Sequence, residues 1–117
     1  GHHAECDRAM GFCMFGNVGL AVAEAQKQGW SRRTLIVDWD VHHGNGTQLM
    51  FEGDCAVLFF SIHRYDGGKF FPGGVLGHYS SHGTGDGAGY SANVPWDVRG
   101  GRKRGVPPPG DAEYLAA

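Results

Sequence analysis

A short apolar, β-branched run, Thr34-Leu35-Ile36-Val37, stops abruptly in Asp38-Trp39-Asp40-Val41-His42-His43-Gly44-Asn45-Gly46. The run carries no polar alternation, so it reads as a buried strand. Residues 47–52 read as a short helix, and 56–62 form a second apolar run. Strand, short crossover helix and strand in that order suggest a right-handed parallel unit. Open parallel sheets hold their sites at the carboxyl ends of the strands. Side-chain alternation predicts that Asp38, Asp40 and His42 leave the first strand on one face. Ser61 and His63 should reach the same edge from the second strand. Gly44 and Gly46 are expected to let the backbone turn sharply. Asp40 with His42 makes two-thirds of a catalytic zinc site, which takes three protein ligands and leaves one position for water. A metal hydrolase is the first expectation.

Composition narrows the partners. Ten Lys+Arg against 12 Asp+Glu give a formal charge of −2 over 117 residues, so no overall field favours nucleic acid or an anionic membrane. No apolar run is long enough to span a bilayer. Cys6, Cys13 and Cys55 are odd in number and form no C-x-x-C pair, which fits a reducing compartment better than a disulfide framework. The 21 glycines and 5 prolines indicate long connections. With Gly1 at its start and only two convincing strands, the chain reads as a piece of a larger domain.

The remaining segments carry weaker signals. Phe15, Val18, Val22 and Ala25 recur at helical spacing and predict a helix over 12–28, with Gly29 as its stop. Gly16 should weaken that helix by ~1 kcal/mol relative to Ala. Residues 65–93 read as a glycine-rich loop, Asn93-Val94-Pro95-Trp96 as a short edge segment, and 111–117 as the first turns of a helix. Arg99-Gly100-Gly101-Arg102-Lys103-Arg104 before Pro107-Pro108-Pro109 could be a nuclear-localisation or phosphate-binding patch. A solvated loop with a stiff polyproline end is the favoured reading.

Five motifs occur in order: Gly1-His2-His3-Ala4-Glu5; Gly11-Phe12-Cys13; Asp38 through Gly46 with Thr47-Gln48; Ser61-Ile62-His63-Arg64-Tyr65-Asp66; and Phe70-Phe71-Pro72-Gly73. Together they resemble the zinc-dependent histone deacetylases, nearest the class II branch, over residues 1 to about 97 and again over 110–117. The resemblance implies an α/β fold, part of the arginase/deacetylase-type parallel sheet flanked by helices, and hydrolysis of N-acetyl-lysine on histones or other proteins. It implies Asp40 and His42 as two of three zinc ligands and His2 and His3 as the paired histidines that move protons. Asp38 stands behind the first of these and Asn45 behind the second. Gly11, Phe12 and Phe71 match walls of the acyl-lysine channel. Potassium would take an inner site at Asp38, Asp40, His42, Ser61 and Ile62, and an outer one at Phe51, Asp54 and Val57. A co-repressor complex and a nuclear or cytoplasmic location also follow from the resemblance.

The chemistry is coherent residue by residue. An amide is a poor electrophile, and zinc can polarise its carbonyl and acidify water. One histidine can take a proton from the water and a protonated one can give a proton to the departing amine. Asp38 should raise the pKa of its imidazole, while uncharged Asn45 leaves its own less basic and better suited as the base. Three departures stand against a complete enzyme. No downstream Asp ligand and no carbonyl-polarising Tyr occur by Ala117, and loss of that Tyr alone should cost ~10² to 10³ in rate. Gly16 also replaces the Asn usual in the family, and 98–109 reads as an insertion. The alternatives are therefore a non-catalytic remnant that acts by binding, or an acetylpolyamine deacetylase. A ureohydrolase needs a two-metal carboxylate set, against which the Asp-x-Asp-x-His-His order argues.

Overall fold

The computed structural model describes residues 1–98, 105 and 107–117. The basic run 99–104 lies outside them, and with it most of the expected 98–109 insertion. Three strands, β1 (Thr34–Asp38), β2 (Val57–Arg64) and β3 (Ser91–Trp96), form a parallel sheet in the order β1-β2-β3. Helix α1 (Asn17–Lys27) precedes the sheet, α2 (Asn45–Phe51) crosses from β1 to β2, and α3 (Asp111–Ala116) follows β3. The segment 93–96, expected as a short edge piece, belongs to a full third strand that pairs with β2 from Ser91 to Trp96. Pro95 is tolerated there because an edge strand does not need its N–H on the open side.

The period-2 pattern of burial sets which face holds the core. Ile36, Val57 and Phe59 point to one side and join Val22 of α1 and Phe51 of α2 in a single apolar cluster. Farther along the same face, Asp38, Ser61 and Asn93 sit in register across the three strands. The face therefore changes from apolar to polar toward its carboxyl end. The opposite face is open along β1: Leu35 is 59% and Val37 47% exposed. The expectation of a fully buried first strand fails for these two residues, because no described element covers their side.

Helix α1 is shorter than predicted. Met10 and Cys13 bond to each other in both directions, and Gly11 and Phe12 adopt positive φ, so residues 10–13 form a tight turn. Phe15 consequently lies outside the helix and is exposed, Val18 is exposed, and only Gly19 and Val22 of α1 are buried. Gly16 is the N-cap residue rather than a helix-interior glycine, so the predicted penalty does not apply; glycine is well tolerated at that position. The C-terminus closes as a Schellman motif. Trp30 N–H donates to Ala25 O at 2.9 Å and Gly29 N–H to Gln26 O at 3.0 Å, with Gly29 at φ 72°. In α3, Gly110 N–H donates to Glu113 Oε2 at 2.8 Å, and Tyr114 meets Trp96 edge to face.

Candidate active site

Helix α2 organises the site from its first turn. Its N-terminus has no side-chain cap. Instead Gly46 and Thr47 N–H both donate to His2 O, at 2.9 and 3.2 Å, which satisfies otherwise orphaned donors and ties residues 2–4 to the helix. This approach requires glycine, since a Cβ on Gly46 would overlap the Ala4 carbonyl. Gly44 has φ −79°, and neither it nor Gly46 uses a left-handed turn. The expected role as turn glycines is thus corrected: Gly46 is small to admit the backbone of residues 2–4, and Gly44 to admit the Asp38 and His2 side chains.

The residues after β1 are held by two successive side-chain turns. Asp38 Oδ1 accepts from Asp40 N–H at 3.1 Å, and Asp40 Oδ1 from His42 N–H at 2.8 Å. Strand alternation ends at Asp38, because aspartate side chains bond local backbone in place of the ladder. The predicted common face for Asp38, Asp40 and His42 is therefore replaced by a folded loop. In it His42 Nδ1 lies 3.1 Å from Asp40 Oδ1, with both side chains partly exposed.

Two histidines stand over this loop. His2 Nδ1 donates to Asp38 Oδ2 at 2.7 Å, and His2 Nε2 lies 3.9 Å from Asp40 Oδ1. His3 Nδ1 donates to Asn45 Oδ1 at 2.8 Å. The two rings are 4.0 Å apart at their centroids. Their electrostatics diverge. The hydrogen bond to Asp38 raises the His2 pKa above the ordinary imidazole value, against the opposing effect of burial. Burial lowers that of His3, and its hydrogen bond to the uncharged Asn45 only partly offsets this. Burial works against ionisation of Asp40, but the His42 backbone N–H and imidazole outweigh it and hold the carboxyl below its usual range.

All of these groups except Asn45 open on one cleft of about 1160 Å3, whose lining also includes Gly11, Phe12 and Phe71. Phe71 meets His3 edge to face at 4.9 Å and His42 at 5.8 Å. Phe12 projects fully into solvent at the rim with φ 61°, a conformation that costs a non-glycine residue of order 1–3 kcal/mol and concentrates at functional sites. Gly11 is packed on His3, where a Cβ would overlap the ring. The residues named for potassium are more dispersed. Asp38 and Ser61 are register partners and Ser61 and Ile62 are buried, whereas Phe51, Asp54 and Val57 line the turn from α2 into β2. In that turn Asp54 N–H donates to Phe51 O and Val57 N–H to Asp54 O.

Donor chemistry at Asp40 and His42 fits zinc. A carboxylate oxygen and an imidazole nitrogen are both ordinary zinc ligands, and a tetrahedral site with bonds near 2 Å sets neighbouring donors about 3.3 Å apart. Their observed 3.1 Å separation is close to that edge. Among the described residues no group of three His, Cys, Asp or Glu side chains could hold a metal, so the set is one ligand short.

Several participants were not singled out from the sequence. Phe70 stacks on His42 at 5.0 Å with planes 7° apart, and the Arg64 guanidinium lies 4.2 Å from the Phe70 ring centroid. Its adjacency to Phe71 was the available signal. Glu5 accepts from Asn45 Nδ2 at 2.6 Å. A buried polar clasp lies on the far side of α2. Gln48 Nε2 donates to Leu76 O, Asn93 Nδ2 to Ser81 O, and His63 Nε2 to Gly77 O at 2.8 Å. This clasp fastens the 76–81 segment, which continues from Phe70 and Phe71. Nothing in the spacing of residues 48, 63 and 93 announces it.

The histone deacetylase domain matches residues 1–117. Histone deacetylase 5 of Arabidopsis thaliana is 54% identical over all of this chain and 17% of its own length. Human histone deacetylase 7 is 51% identical over all of this chain and 12% of its own. Histone deacetylase HDA1 of Saccharomyces cerevisiae is 45% identical over the whole chain and 16% of its own. The chain thus spans about a sixth or less of these relatives. The crystal structure of the HDA15 HD domain superposes with a TM-score of 0.78 at 50% identity, over 83% of this chain and 26% of that one. The three parallel strands and their helices are accordingly part of the arginase/deacetylase-type α/β sheet. With the match running from the first residue to the last, this chain belongs to the histone deacetylase family and is class II-like.

Proposed function

We infer that this chain is the central portion of a deacetylase catalytic domain, and that the protein carrying it hydrolyses N-acetyl-lysine on histones or other proteins. The observation that carries the reading is the convergence, in one cleft, of a charged dyad (His2 with Asp38), of His3 backed from outside the cleft by the uncharged Asn45, and of the Asp40/His42 donor pair. Asp40 and His42 would hold zinc together with a third ligand. When bound, zinc polarises the amide carbonyl and makes water acidic near neutral pH.

The remaining work falls to the chain's own groups. His3, the less basic imidazole, takes the proton from the attacking water. His2, kept protonated more readily by Asp38, gives a proton to the departing lysine nitrogen, so that the amine leaves neutral. Phe71 and Phe12 flank the apolar stem of the lysine, with Gly11 between His3 and the rim. Phe70, backed by Arg64, holds the His42 ring in place. Potassium would bind through oxygen donors of Asp38, Asp40, His42, Ser61 and Ile62, and at Phe51, Asp54 and Val57, as suits a hard cation. Action in the nucleus or cytoplasm, within a co-repressor assembly, accords with the relatives' names as histone deacetylases.

The test uses an acetyl-lysine peptide with the full-length protein and with the isolated 117-residue chain. Full-length protein should turn over the peptide, lose activity on zinc chelation and regain it on zinc addition. Replacing His3 with Ala should abolish turnover with the circular dichroism spectrum unchanged. The isolated chain, with two of three ligands, should show little or none. Zinc-independent turnover, or full activity in the His3 variant, would overturn the assignment; preference for an acetylated polyamine would move the substrate class.

A further inference from the structure

Asn45 is buried between two partners of different kinds. Its Oδ1 accepts from His3 Nδ1, and its Nδ2 donates to Glu5 Oε1. A primary amide is nearly symmetric in shape, so only its neighbours decide which end faces which. Glu5 decides it. A carboxylate accepts and does not donate, so it selects the NH2 end of Asn45. Arg8 Nη2 donates to the other oxygen, Oε2, at 2.8 Å, and Glu5 N–H donates to Arg8 O at 3.0 Å, which fixes the carboxylate within its own turn. With its NH2 committed to Glu5, Asn45 can offer His3 only an acceptor. His3 must then carry its hydrogen on Nδ1, and a neutral imidazole has only one. The lone pair is left on Nε2, across the ring from Asn45.

We propose that Glu5 is a positioning residue that sets the tautomer of His3 through the Asn45 amide, so that Nε2 is the basic atom presented to the cleft. The inference rests on the reading of His3 as the base. His2 differs in kind: its partner Asp38 is itself a carboxylate and orients the ring without an intermediary. The relay also explains why position 45 holds an amide. An aspartate there would put two carboxylates in contact, and such pairs cannot both ionise comfortably.

The test is imidazole 15N–1H correlation on the zinc-loaded full-length protein with labelled histidine, alongside steady-state kinetics. In the unsubstituted protein His3 should appear as the Nδ1–H tautomer. Glu5→Leu should give a mixture of tautomers and lower kcat about 10-fold with KM little changed. Glu5→Gln leaves one oxygen where two accept, and with that oxygen on Arg8 its NH2 faces Asn45, so it should also disturb the tautomer. Asn45→Asp should damage the site more than the pair Asn45→Asp with Glu5→Gln, in which the new amide donates to the new carboxylate. An undisturbed tautomer in Glu5→Leu or in Glu5→Gln, or purely additive effects in the pair, would overturn the relay. A Glu5-dependent tautomer in a protein that hydrolyses no acetyl-lysine would leave the relay standing and remove the deacetylase reading instead.

Discussion

A Cβ on Gly44 would overlap Asp38 Oδ2 and lie 3.1 Å from His2 Nδ1. It would therefore wedge apart the His2–Asp38 dyad. Gly44→Ala should cost about 1–3 kcal/mol of stability from overpacking and, on the proposed reading, lower turnover of the acetyl-lysine peptide by the full-length protein. Turnover equal to the unsubstituted protein would show that the His2–Asp38 contact tolerates the methyl group. Protonation supplies a second test at this scale. Burial pushes the His43 imidazole down to about 4, against its hydrogen bond to Gln48, and burial also lowers that of His63. The two rings lie 4.7 Å apart. Unfolded histidine binds its proton near 6.5, so between that value and about 4 the unfolded chain holds more protons than the folded one. Their contribution to stability is complete above about pH 6.5 and is lost as pH falls toward 4. Urea melts from pH 7.5 to 4.5 should show this decline; a flat profile would mean that the pair is hydrated in solution.

At the scale of elements, the connection between β2 and β3 is the least regular part of the chain and still tightly held. Gln48 of α2, His63 of β2 and Asn93 of β3 satisfy carbonyls of Leu76, Gly77 and Ser81, three groups that would be costly to bury unpaired. Gln48 Oε1 also accepts from His43 Nε2 and Asn93 Nδ2, so one side chain joins α2 to the sheet and to the loop. Gln48→Leu keeps the bulk and removes the polar end. It should destabilise the protein by about 2 kcal/mol or more and speed hydrogen exchange of amides over residues 70–82. Unchanged exchange there would show that the loop is anchored by its own turns. Because Phe70 and Phe71 belong to the same connection, KM for the acetyl-lysine peptide should rise in this variant as well.

For the whole molecule, the apolar face of β1 is a surface feature with a consequence for association. Leu35 and Val37 stand exposed on an edge strand, with Leu58 36% exposed beside them. Such a patch drives association. The isolated chain should bind a hydrophobic dye and sediment as oligomers at micromolar concentration, and Leu35→Lys with Val37→Thr should shift it toward monomer. A monodisperse, dye-negative chain would show that this face does not drive association.

What the residues alone could settle was local or ordered along the chain. Unbroken apolar β-branched runs specify strands, Gly29 after a periodic segment specifies a helix end, and the five motifs in sequence specify the family. These signals survive because they depend on neighbours a few positions away. The resemblance implied Asp38 behind His2 and Asn45 behind His3, positions 36 and 42 residues apart, but Glu5 behind Asn45, 40 residues apart, had no such signal. Only tertiary structure could show that Gly44 and Gly46 are small to make room rather than to turn, that β3 completes the sheet, and that Leu35 and Val37 face out. Exposure and close approach are properties of what lies opposite a residue in space, and side-chain periodicity along a strand says nothing of that.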